Sequence, residues 1–386
     1  MKPGAQPIGP FTDDIFDVQA VLNGAWDDTA FYQRGDQRGT LQEVTPEKTE
    51  HALRILRRGR PTKTYNLGEL MFTGFPAFNT VPPRSYDQRL VLLGYTPPAG
   101  FAGFVQGTTP LGPNLVSGHE ERFRVPDPSR FPLPAGYQNV YAMTYQIATQ
   151  FDNLNHIGVG PVFYGGHRAP AITETWGTNK LGAENMGPIV TRGIMLDILG
   201  LKLEQGPSTD ISPTRAPNGK QLLVDNYRIT VEDIEAAMRR QRIRSLEPGD
   251  AVLFRTGWSQ LIDPKDPSAP DDPAHPAHPA HARFLAQEPG IYLREVRYLA
   301  SRRPALIGGD TWALEVLGNP VSVPNAFPVH QELLTHHGVR IAESVNLEEL
   351  AEDGISEFVY IVTPNYALGA TAGNTPPAAL AQPRRR

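Results

Sequence analysis

Apolar and polar positions repeat with two different periods along this chain, and the switches between them mark out its elements. From Thr45 to Gly59, the apolar residues Ala52, Leu53, Ile55 and Leu56 recur at helical spacing. Thr45 is a natural N-cap, Pro46 suits the first helical position, and Glu47 suits the positive end of the helix dipole. Arg54, Arg57 and Arg58 gather towards the other end, and Gly59 stops the helix. A second helix starts at Thr230-Val-Glu-Asp233, with Ile234, Ala237 and Met238 as its buried face. Helical spacing returns from Leu293 to Ala300, and Val329 to Leu334 opens another helix. The strand signals lie between. Ile189 to Asp197 begins with β-branched residues. Pro248-Gly-Asp turns into the nearly continuous apolar run Ala251 to Trp258, which predicts a strand buried on both faces. Ala305 to Gly309, Val339 to Glu343 and Glu357 to Thr363 read as further strands. Tyr65 opens the main domain, and Tyr137 to Phe151 has strand character.

Thirty-eight prolines and 36 glycines make the chain loop-rich, with many short elements. They concentrate in residues 80–138, a long insertion of the kind that serves as a lid or an oligomer contact. The expected organisation is an N-terminal arm over 1–61, a main domain over 62–375 and a disordered tail over 376–386. His275, His278 and His281 stand in Ala-His-Pro repeats. The proline spacing makes an extended, solvated linker there rather than a chelating tract.

Hydrophobic residues are 40% and charged residues 20% of the 386, which fits a soluble globular protein. The net charge of -5 argues against nucleic-acid binding. With no cysteine, disulfides, thiolate metal sites and thiol nucleophiles are excluded. No apolar run is long enough to span a membrane, and the first residues lack the apolar core of a signal peptide, so a cytoplasmic location is expected.

Chemistry concentrates in Tyr145-Gln-Ile-Ala-Thr-Gln-Phe-Asp-Asn-Leu-Asn-His156. In an extended strand, Gln146, Gln150, Asp152 and His156 would share one face. A carboxylate beside an imidazole can bind a metal or divide acid and base work. A turn after a strand, carrying a surface histidine, explains the same residues.

The run resembles the signature H-x-G-T-H-x-D-x-P-x-H of the cyclase family of metal-dependent hydrolases, which includes bacterial kynurenine formamidase and isatin hydrolase. Thr149, Asp152 and His156 match it. Gln146 and Gln150 replace the first two histidines, Ala148 the glycine and Leu154 the proline. Three more segments resemble the family in the same order: Ile189 to Asp197, Thr230 to Trp258, and Pro328-Val-His330 with Ala342-Glu343.

The resemblance implies a mixed α/β fold, a swivelling β/β/α domain that forms homodimers or homotetramers. It implies a divalent ion held by Asp152, His330 and Glu343, with Gln146 and Gln150 at the remaining ligand positions and His156 moving protons. Amide oxygens are weak ligands for zinc, so Mn²⁺ becomes an alternative to Zn²⁺. The reaction implied is hydrolysis of an amide, cyclic imide or lactone. Trp312, Phe163 and Tyr164 are candidate pocket walls for a small, flat substrate, and Asp310 a candidate polar contact. A metal-free cyclase or dehydratase using Asp152 and His156, and a non-catalytic binding protein, are the competing readings.

Overall fold

In a computed structural model, the described residues are 11–26, 35–72, 74–78, 84, 86, 144–206, 208–262, 279–317 and 327–383, with three strands between 88 and 123. Two compact units emerge. The larger comprises residues 1–69, 148–263 and 279–386, and the smaller 70–147 and 264–278.

The insertion expected over 80–138 lies in the smaller unit, and three of its segments are strands. Gln88–Leu93 pairs in parallel with Val105–Gln106 and antiparallel with Gly118–Phe123. The apolar run within Gln88–Leu93 supplies a strand signal that the surrounding prolines and glycines obscure.

The larger unit is built on nine strands. In chain order they are β1 Lys63–Asn66, β2 Gln150–Asp152, β3 Ile189–Asp197, β4 Ala251–Arg255, β5 Leu306–Gly309, β6 Arg340–Glu343, β7 Glu357–Val362, β8 Ala372–Gly373 and β9 Ala378–Ala381. They lie in the order β1-β9-β7-β3-β4-β5-β6-β2-β8. The four central strands β3 to β6 are parallel, and antiparallel strands extend the sheet on both sides. Such a central run has to be covered on both faces. Ile194, Leu196, Val252, Phe254, Ile307 and Ile341 pack in one cluster, and Met195, Leu253, Leu306, Ala342, Phe358 and Tyr360 in the other.

In the helices, α1 is Val18–Leu22, α2 Pro46–Leu53, α3 Ile198–Glu204, α4 Val231–Gln241, α5 Pro279–Ala286, α6 Leu293–Ala300 and α7 Pro328–His330. The capping box of α4 is formed: Thr230 accepts from the Asp233 amide while Asp233 accepts from the Thr230 amide. Thr45 caps α2 as expected, but that helix stops at Leu53, six residues before Gly59. Beyond it the amides of Ile55 and Leu56 reach back only three residues. Of the expected apolar stripe, Ala52 is buried and Leu53 is exposed.

The arm over 1–61 is not separate, since it belongs to the larger unit. Lys48 of α2 donates to the fully buried Asp250, which also holds Arg192 through both carboxylate oxygens. Arg340, also buried, donates to the carbonyls of Gln37 and Arg38. Nor is the segment after Pro376 a disordered tail, because β9 lies between β1 and β7. Its alanine-rich sequence carries little intrinsic strand preference; ladders on both sides satisfy its backbone. His281, expected in a solvated linker, is buried within α5, while His275 and His278 lie outside the described residues. No helix among the described residues is long and apolar enough to cross a membrane.

Candidate metal centre

Neighbouring strands β2 and β6 set out the centre. Their antiparallel register puts Gln150 opposite Glu343 and Asp152 opposite Ile341. Gln150 and Asp152 therefore share a face with Glu343. Thr149 joins the two strands: its hydroxyl donates to the Ser344 carbonyl at 2.5 Å and accepts from the Glu69 amide at 2.8 Å. The expected shared face does not reach back to Gln146. Ala148 has φ +56°, a left-handed turn that breaks the extended chain two residues before β2. Gln146 falls in the smaller unit, where its side chain is buried.

His330 is supplied by α7. Its Nε2 lies 3.2 Å from Glu343 Oε1 and 3.4 Å from Asp152 Oδ2. One potential ligand atom from each of Asp152, His330 and Glu343 falls within 4.8 Å of the others, and all three residues are buried. Gln150 presents its amide nitrogen to this group, 2.6 Å from Glu343 Oε2 and 3.4 Å from Asp152 Oδ1. So placed, it donates to both carboxylates, and a half-turn of the amide would present its oxygen to an ion instead.

His156 follows β2 on a turn closed by its own amide to the Asn153 carbonyl. Its Nε2 is 3.6 Å from Asp152 Oδ2, and its ring centroid is 6.4 Å from that of His330. It is partly exposed, at the rim of an otherwise buried group.

Two acidic residues that the sequence did not single out complete the surroundings. Glu315 Oε1 lies 2.5 Å from His330 Nδ1, and its carboxylate also accepts from the amides of Val329 and His330. A carboxylate in that place fixes the tautomer and turns Nε2 towards Asp152 and Glu343. Glu288, fully buried, accepts from the amides of Trp312 and Ala313. Burial first, then the nearby Glu343 and Glu315, pushes its pKa well above the carboxylate range. Burial opposes charge on His330, but its hydrogen bonds to Asp152, Glu315 and Glu343 outweigh that and raise its pKa well above the ordinary value. Neither Glu315 nor Glu288 sits in a periodic or motif-like context, so nothing local in the sequence announces them.

The expected pocket residues divide. Trp312 and Phe327 form an edge-to-face pair at 6.3 Å, and the Phe327 ring is 5.3 Å from that of His330. These rings form an aromatic wall beside the centre, and Phe327 was not foreseen. Tyr164 is instead core: it packs on Gly338, before the N-terminal end of β6, and its hydroxyl donates to Asp36. Phe163 packs against the core cluster and Gly158. Asp310 is structural. Both its oxygens accept from the Thr256 amide; one also takes the Thr256 hydroxyl and the other the Gly257 amide. Burial raises its pKa to about 6 despite those bonds.

Residues 69–316 match the Cyclase family, described as "Putative cyclase". The chain belongs to the Cyclase family. The match ends before His330 and Glu343, so their place in the centre rests on the geometry above. No curated protein matches this cyclase-family chain. A crystal structure described as that of a novel cyclase is 27% identical, covers 95% of this chain and 99% of its own, and superposes with a TM-score of 0.65. Isatin hydrolase A from Ralstonia solanacearum is 15% identical over 83% of this chain and 92% of its own, with a TM-score of 0.50. The fold is thus a mixed α/β cyclase fold, as the motif order implied.

Proposed function

We propose that this protein is a metal-dependent hydrolase of an amide, cyclic imide or lactone, acting on an aromatic or cyclic substrate. The observation that carries the reading is the buried group of Asp152, His330 and Glu343. Buried carboxylates need a cation or strong donors. Here Asp152, Glu343 and Glu315 surround a single imidazole, a donor set that suits a divalent ion. Two carboxylates with one imidazole favour a harder ion, Mn²⁺ ahead of Zn²⁺.

Asp152, His330 and Glu343 would hold the ion, and Glu315 and Gln150 would hold those ligands in position. When bound, the ion supplies Lewis acidity that polarises a carbonyl and makes water more acidic. His156, at the rim and beside Asp152, is placed to take a proton at Nε2 from the attacking water and return it to the leaving nitrogen or oxygen. Phe327 and Trp312 offer ring faces and edges to a flat substrate. A structure named for hydrolysis of isatin shares this fold, in keeping with that substrate class.

Elemental analysis of the purified protein is the first test, followed by a hydrolysis screen on formanilides, cyclic imides and aryl lactones with and without Mn²⁺. Asp152→Ala should lose both metal and turnover. His156→Ala should keep the metal and lose about a hundredfold to ten-thousandfold in rate. If His156→Ala loses its metal as fully as Asp152→Ala does, His156 is a ligand and the proton must move elsewhere. Turnover that survives exhaustive chelation would favour the metal-free pairing of Asp152 with His156.

A further inference from the structure

A second group of ligating side chains lies on the segment that follows α7. Gln331–His337 is a π-helical turn. In an α-helix His336 would stand over Glu332, and His337 would point roughly 140° away from it. The wider i→i+5 turn brings both beside the same carboxylate. His336 Nδ1 is 3.1 Å and His337 Nε2 3.4 Å from Glu332 Oε1, and one ligand atom of each residue falls within 4.8 Å of the others. Glu332 is 1% exposed, yet its Oε2 makes no hydrogen bond, and neither does His337 Nε2. Buried polar atoms left this way call for an explanation. Trp26 closes one side, stacked on His336 at 4.3 Å with the planes 3° apart, and His336 in turn stacks on His337. Arg297 donates to Glu332 Oε1 at 3.1 Å and also to the carbonyls of Thr12 and Asp14, which leaves Oε2 to take a ligand.

We propose that Glu332, His336 and His337 form a second metal site, separate from the Asp152 centre, for a borderline first-row ion such as Zn²⁺ or Ni²⁺. Two imidazoles and one carboxylate select that class over Mg²⁺ or Ca²⁺. An ion there would pin the N-terminal arm, through Trp26, to the helix that carries His330.

Titration of the tag-free full chain with Ni²⁺, followed by tryptophan fluorescence, tests this. With the first centre removed by Asp152→Ala, the protein should show saturable quenching, and adding Trp26→Phe should abolish the quenching while keeping the affinity measured by calorimetry. Glu332→Gln and His337→Asn should each bind Ni²⁺ at least about tenfold more weakly. Asp152→Ala should keep this site, so its behaviour separates the proposal from the reading of the first centre. Should either variant not fold, Zn²⁺ must still protect His336 and His337 of wild type from carbethoxylation, mapped by peptide mass. Unchanged Ni²⁺ affinity in both variants, or no protection by Zn²⁺, would overturn the proposal and leave the group a buried ion pair.

Discussion

Replacing Glu315 by glutamine removes one charge and almost no volume from a side chain that holds His330 at two points. In wild type one carboxylate oxygen serves the ring Nδ1 at 2.5 Å and the His330 amide at 3.4 Å, and the other takes the Val329 amide at 3.3 Å. Glutamine keeps one acceptor. If it stays on the ring, its NH₂ faces the Val329 N–H, and one long hydrogen bond is lost, costing about 1 kcal/mol of stability. The larger effect falls on the metal. Loss of a charged partner behind a ligand histidine typically costs about 10- to 100-fold in affinity, or about 1.4 to 2.8 kcal/mol. Mn²⁺ affinity is measured by competition with a chromophoric chelator, and stability by urea unfolding of chelated protein. The expected pattern is a large loss of affinity with a small loss of stability. Unchanged affinity, in a preparation where Asp152→Ala does lose its metal, would refute the positioning role and make Glu315 a packing residue.

Gln150→His, alone and with Gln146→His, should bind Zn²⁺ more tightly than the parent, because imidazole suits zinc better than an amide; unchanged affinity by calorimetry would show that Gln150 does not face the ion. Burial, then Asp310 and Glu348, raises the Glu69 pKa from 4.5 to about 8. The folded protein thus retains a proton that the unfolded chain releases, so the group's contribution is full below pH 4.5 and is lost as pH rises towards about 8. Glu69→Gln should flatten stability against pH over that window, and urea unfolding at both ends checks it. Asp250→Ala strands the buried cations of Lys48 and Arg192 and should cost about 3 to 5 kcal/mol, read from the same denaturation curves.

Much of the frame was legible where local preference and burial agree. Thr230 and Asp233 form their capping box at the expected positions, and the run from Ala251 is a buried strand between the parallel β3 and β5 as far as Arg255, with Trp258 opening a 3-10 turn instead. Asp152, His156, His330 and Glu343 meet despite their separation in sequence. What was hidden depends on contacts that arise only in the folded chain. The left-handed Ala148 ends the shared face before Gln146. The π turn after His330 widens a helix in a way that no spacing rule anticipates. Glu315 partners His330 across 15 residues of sequence, a pairing no local pattern announces. β9 has a weak strand sequence and gains its place from the neighbours on either side.

That last strand also governs the order in which the protein can be finished. β1 pairs with β9 and reaches β7 only through it. About 310 residues separate Asn66 from Ala378. At about 5–20 residues per second, the ribosome takes roughly 15 to 60 s to deliver the partner that β1 needs. Throughout that interval β1 is without its strand partner, open to pairing with another nascent chain. A product cut short before Ala378 would never gain that partner. Chaperones or proteases that proofread this fold would have a backbone feature to sense there, the amides and carbonyls of Lys63–Asn66 and Glu357–Val362 that β9 pairs in the finished chain.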